Sequence, residues 1–153
     1  MPYEQVKNIM GRAQRYHRKL SEFYQKLDET TSEEHERMKL VLQYLQQHEN
    51  KLERQLCEFE KNARPNAMDT WVQFPPDENL ENVFDTSRLK KDMSINDIVV
   101  LTLEFDNTLL KFYERARDVA STSEIGEMFD HLLSEGINDR KELVQSIFGF
   151  DRY

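Results

Sequence analysis

In "LQYLQQHENKLERQL", residues 42–56, a carboxylate interrupts a row of leucines. At helical spacing the row reads Leu42, Leu45, Glu49, Leu52, Leu56, so Glu49 faces the same way as its apolar neighbours. A carboxylate in a dry helix seam needs a proton, a hydrogen-bond donor or a cation, because an isolated buried charge is prohibitively costly. Glu49 is therefore the first residue whose type and place suggest chemistry.

Other chemistry-bearing residues fit the pattern less well. Glu127, His131 and Glu135 recur every four residues, a metal-like spacing, but counting from Leu132 places His131 away from the apolar centre and on a solvated face. His48 lies one step off the leucine stripe, and His35 belongs to the charged stretch "SEEHERMK". Cys57 has no basic neighbour close in sequence to lower its pKa and no Cys-His-Asn context. Four scattered glycines do not build a phosphate loop. The aromatic tail "IFGFDRY" is suited to docking on its own bundle or on another copy.

Four amphipathic helices must position these residues. Val6, Met10, Ala13, Leu20, Tyr24 and Leu27 predict a helix over about 3–28. "DETTSEE" breaks it, with Thr30, Thr31 or Ser32 available to cap a second helix over about 32–61. A third, about 95–120, starts at a Ser94/Asp97 capping pair. "STSE" recaps a fourth, about 123–148, which carries Ile125, Phe129, Leu132, Gly136, Asp139, Leu143 and Ile147. Gly136 in mid-helix costs about 1 kcal/mol against Ala and suggests a close helix approach. The remaining stretch, about 62–94, is a crossover. "DTWVQFPPDEN" should be extended, "ENLENVF" should form one helical turn, and Trp71 and Phe74 should pack on the bundle. Short turns within each pair and a long connection between pairs give two helical hairpins in one domain, 1–153.

The hairpins repeat. The first and third helices align at an offset of 89, pairing Ala13 with Thr102, Tyr16 with Phe105, His17 with Asp106 and Tyr24 with Tyr113; "HRKLSEFYQKL" reads like "DNTLLKFYERA". The second and fourth align at an offset of 87, pairing Leu42 with Phe129, Leu45 with Leu132, Glu49 with Gly136 and Leu52 with Asp139.

A duplicated hairpin with a long crossover resembles the ferritin-like superfamily, and within it the rubrerythrin-like branch. "KFYERARDVASTSEIGEMFDHLLSEG" carries most of the likeness. The resemblance implies an all-α four-helix bundle of ferritin-like topology. In that family each hairpin supplies a Glu seven residues before a Tyr, then a Glu seven residues after a Phe or Leu, then a His three further on. Six such side chains hold two irons. Here the six positions are His17, Glu49, Leu52, Asp106, Gly136 and Asp139. Glu49 alone matches, Leu52 and Gly136 bear no ligand atom, and no Glu-x-x-His occurs in the chain. An ordinary di-iron centre, with its ferroxidase, peroxidase or oxygenase activity, is not expected.

By the same resemblance His17, Glu49, Asp106 and Asp139 should meet at one level of the bundle. Three outcomes are open: a hydrogen-bonded cluster with ordered water, a carboxyl kept protonated, or a single Fe, Mn or Zn ion held by the imidazole and the carboxylates. The cluster is the leading reading, so no cofactor is expected, and the four residues are the candidate metal ligands of the alternative.

The totals narrow the partners. A chain of 153 residues that is 33% charged and 38% hydrophobic, with 4 Gly and 4 Pro, suits long solvated helices. A net charge of −8 argues against nucleic acid and against an anionic membrane surface. No apolar run is long enough to span a bilayer, no signal-peptide core stands at the N-terminus, and a lone Cys57 fits a reducing cytoplasm. The leading expectation is a catalytically degenerate ferritin-like domain, more scaffold than enzyme, that self-associates or binds a protein. A metal-binding rubrerythrin relative with an altered, mononuclear site is the alternative. A helical adaptor unrelated to ferritins is a third reading, and it fails if a lengthwise crossover joins the second and third helices.

Overall fold

A computed structural model describes residues 3–76, 80 and 93–151. Its elements are β1 (Tyr3–Gln5), α1 (Val6–Thr30), α2 (Glu36–Asn62), α3 (Pro65–Met68), β2 (Trp71–Gln73), α4 (Ile95–Asp118) and α5 (Ser123–Asp151). The four long helices form an all-α bundle of two hairpins, α1 on α2 and α4 on α5. Apolar residues at steps of three and four give each helix one buried stripe, which only a second helix can cover. Tyr16, Tyr24, Phe105, Phe112 and Phe129 are the largest side chains sealed in that core. Fully burying an aromatic or leucine side chain stabilises by about 1.5–3 kcal/mol.

Two phenols stitch the hairpins together. Tyr16 Oη donates to the Phe105 carbonyl at 2.8 Å, and Tyr24 Oη lies 3.0 Å from Thr102 Oγ1. These contacts place the end of α1 beside the start of α4. At the opposite end, Ser121, just past α4, donates to the Trp71 carbonyl of β2. β2 and the start of α4 therefore lie at opposite ends of the bundle.

The hairpin ends obey local chemistry. Ser94 and Asp97 form the expected capping box at α4, with both bonds in place at 2.9 and 3.1 Å. Thr122 Oγ1 accepts from the Ile125 amide at the start of α5. The expectation for α2 needs correction. Thr30 and Thr31 turn their hydroxyls back onto the Leu27 carbonyl, and α2 starts later, with His35 at its cap position and no side-chain cap bond. Lys39 closes this turn by donating to the carbonyls of Asp28 and Thr31, where a cation also suits the C-terminus of α1.

The N-terminus differs as well. Residues 3–5 are not helical; β1 pairs antiparallel with β2, matching Tyr3 with Gln73 and Gln5 with Trp71. The Val6 amide, an orphan donor at the helix start, bonds to the Thr70 carbonyl at 2.9 Å. Trp71 and Phe74 are 58% and 57% exposed rather than packed on the bundle. Strand alternation is the reason: Val72 takes the inward position and Trp71 the outward one. Phe74 leaves the strand at φ 57°, in the left-handed region, with its ring in solvent. Arg12 ties the ribbon down, reaching Glu4 and the Pro76 carbonyl while its guanidinium sits 4.9 Å from the Phe112 ring centre. Apart from Leu80, the turn expected at "ENLENVF" lies outside the described residues. In the tail, Ile147 is buried and Phe148 is exposed. Among the described residues no helix is long and apolar enough to cross a membrane.

Candidate functional site

The repeat survives as geometry. Ala13 and Thr102, Tyr16 and Phe105, Leu20 and Leu109, and Tyr24 and Tyr113 all point into the core at matched positions. His17 comes with this face of α1, one residue past Tyr16, and Glu49 comes with the leucine face of α2. Both are sealed, at 4% and 1% exposed. His17 Nδ1 lies 2.5 Å from Glu49 Oε2. Each group is thus the other's answer to burial, and the carboxylate in the leucine row needs no ion to hold it. Tyr16, Tyr24 and Tyr113 surround the pair. Burial, and next the charge of Glu49, pushes all three phenols above their usual range, so they stay protonated rather than becoming phenolates.

Beside the pair lies a cavity of about 80 Å³ between α1, α2, α4 and α5. Leu52, Leu56, Leu109, Leu110 and Leu132 form its apolar wall; His48, Asp106, Asp139, Glu135 and Arg140 form its polar one. Its rim residues Gln55, Phe59, Glu135 and Asp139 also line an open groove on the surface of α2 and α5. The cavity therefore has a way out to solvent.

The polar wall is electrostatically uneven. Burial pushes the Asp106 carboxyl up to about 7; Glu49 and Asp139 push the same way, while His17 and Arg140 oppose. Burial also raises Asp139, with His48 opposing and Glu135 and Glu142 assisting. His48 is lowered, chiefly by burial, and its ring stacks 6.2 Å from that of Tyr44. Arg140 hydrogen-bonds to Asn107.

Of the four residues singled out in the sequence, His17 and Glu49 meet directly. Asp106 lies within electrostatic reach of both. Asp139 lines the outer part of the cavity, where its first charged neighbour is His48. His17, Asp106 and Asp139 line one cavity, with Glu49 behind His17. Among the described residues, no three His, Cys, Asp or Glu side chains are grouped to hold a metal ion. A Cβ added at Gly136 would come within 2.7 Å of Leu110 Cδ2. The close helix approach expected at Gly136 is this contact.

Arg140 was not among the sequence candidates, and His48 and Glu135 were set aside there as lying off the apolar stripe or on a solvated face. The signal for His48 was its place four residues before Leu52, one turn along the same face. His131 is exposed, as expected, and pairs with Glu135 at 3.1 Å; Glu127 and His35 are exposed. Cys57 is a partly buried free thiol.

This architecture is a ferritin-like fold. Among solved structures, a Thermotoga maritima protein described as a candidate ferritin-like diiron-carboxylate protein matches with a TM-score of 0.64 over 95% of each chain. The two sequences are 15% identical, so the likeness speaks for the fold. No protein-family model matches the chain, and no curated protein matches it.

Proposed function

We propose that the chain is a catalytically degenerate ferritin-like domain, of rubrerythrin-like ancestry, that works as an interaction or scaffold protein without a di-metal centre. The observation that carries this reading is the direct His17–Glu49 hydrogen bond, at the level where relatives hold iron. It uses the one carboxylate that matches the family's ligand pattern, while Leu52 and the Gly136–Leu110 contact occupy two further ligand positions. A net charge of −8 disfavours nucleic acid as the partner, and the free Cys57 suits a cytoplasmic setting. Tyr3 and Trp71, both more than half exposed on the outer face of the β1–β2 ribbon, support a protein partner or a second copy.

The test is elemental analysis of protein purified without chelator, followed by thermal unfolding with added Fe(II), Mn(II) or Zn(II). A ligand that binds the folded state raises its stability by linkage. We expect no stoichiometric metal and an unmoved transition. One or two equivalents of metal, lost in Glu49→Ala, would overturn the reading. Sedimentation of the native chain and of Trp71→Ser tests association: a native monomer that captures no partner would remove the scaffold role.

A further inference from the structure

We infer that the cavity beside the His17–Glu49 pair is a binding site for a small organic cation, a primary ammonium group on a short apolar chain. The inference starts from the mixture of carboxylates and leucines that lines the cavity. Asp106 and Asp139 face the space together with Glu135, and Asp106 has no hydrogen-bond partner among the described residues. The cationic side chain on the wall, Arg140, is already bonded to Asn107. An incoming positive charge would meet Asp106, which lacks a donor of its own, and Asp139 at the rim, while Glu135 is already engaged by His131 at 3.1 Å. Much of the remaining lining is leucine, which gives a bare metal ion nothing in exchange for its hydration shell. An alkylammonium brings its own apolar surface to those leucines.

Geometry separates the two kinds of cation further. A metal needs several donors about 2 Å from one point. An ammonium needs acceptors at about 2.7–2.9 Å in different directions and tolerates a site built from two separated carboxylates. Asp106 inside and Asp139 toward the rim are such a site. Size sets the chain length. An ordered water needs about 10–15 Å³ of such space, so 80 Å³ takes on the order of five non-hydrogen atoms. The groove that shares Gln55, Phe59, Glu135 and Asp139 provides entry.

The inference rests on the metal-free reading above, so the test uses protein dialysed against chelator and assayed for residual metal. Thermal unfolding is followed at constant pH and ionic strength with n-butylammonium, and with 1-butanol and butyrate as neutral and anionic counterparts of the same shape. Butylammonium should raise the transition saturably at millimolar concentration, and the other two should not. Asp106→Asn and Asp139→Asn should each weaken the apparent affinity about tenfold or more. Asp139 lies at the partly exposed rim, so its substitution keeps the test clear of any folding defect in the first variant. Equal shifts with butanol or butyrate, no shift with butylammonium, or unchanged affinity in both variants would each overturn the inference. Metal found before dialysis would instead overturn the metal-free reading alone, because the amine series is run on stripped protein.

Discussion

His17 Nδ1 and Glu49 Oε2 stand 2.5 Å apart across the α1–α2 seam, both out of reach of solvent. The pair is a matched set: either member alone would leave a buried polar group unsatisfied. Glu49→Leu would complete the leucine row and yet should destabilise the fold, by about 3–5 kcal/mol, because it orphans His17. Adding His17→Leu should return most of that loss. Urea unfolding of the two single variants and the double variant measures it, and additive losses would mean the residues are not coupled.

Asp106 gives a pH signature. Its folded pKa of about 7 lies above the ordinary 3.8 of an aspartate, so the folded state holds a proton that the unfolded state has released between those values. Stability from this group is greatest below pH 4 and falls as pH rises to 7, by on the order of 4 kcal/mol. His48 has the opposite sign: its lowered pKa means that acid protonates the unfolded state first, so its contribution grows with rising pH. The difference between Asp106→Asn and the native chain cancels His48 to first order. The variant should be the more stable at pH 8 and nearly equal at pH 4; a flat difference across that range would contradict the assignment.

Gly136→Ala sets two effects against each other. Alanine gains about 1 kcal/mol of helix propensity. Its Cβ also meets Leu110 Cδ2, the mobile end of a side chain that borders the cavity and has room to turn into it. We expect a net change within about 1 kcal/mol by thermal or urea unfolding. A larger loss would show that Leu110 is held in place.

At the start of α4, Ser94 accepts from the Asp97 amide and Asp97 accepts from that of Ser94. Ser94→Ala removes one half of this cap and should lower stability by about 1 kcal/mol. Because the cap lies far from the cavity, that loss should add to the loss in Glu49→Leu, a check made by combining the two.

What the sequence determined by itself was local or periodic. The Ser94–Asp97 cap involves residues three apart, and the four helices announce themselves by apolar spacing. Glu49 was legible as buried because its neighbours four before and three after are leucines, and the repeat offsets placed His17 opposite Asp106 in kind. Tertiary structure alone decided what lies far apart in the chain. β1 finds β2 across more than sixty residues, and that pairing, not the apolar character of Trp71, turns the indole outward. The choice of Glu49 as the partner of His17, the position of Asp139 near the rim, and the recruitment of His48 and Arg140 to the cavity wall depend on helix rotation and crossing. A turn of a few tens of degrees about a helix axis carries a side chain from seam to surface, and spacing along one helix cannot set that angle against its neighbours.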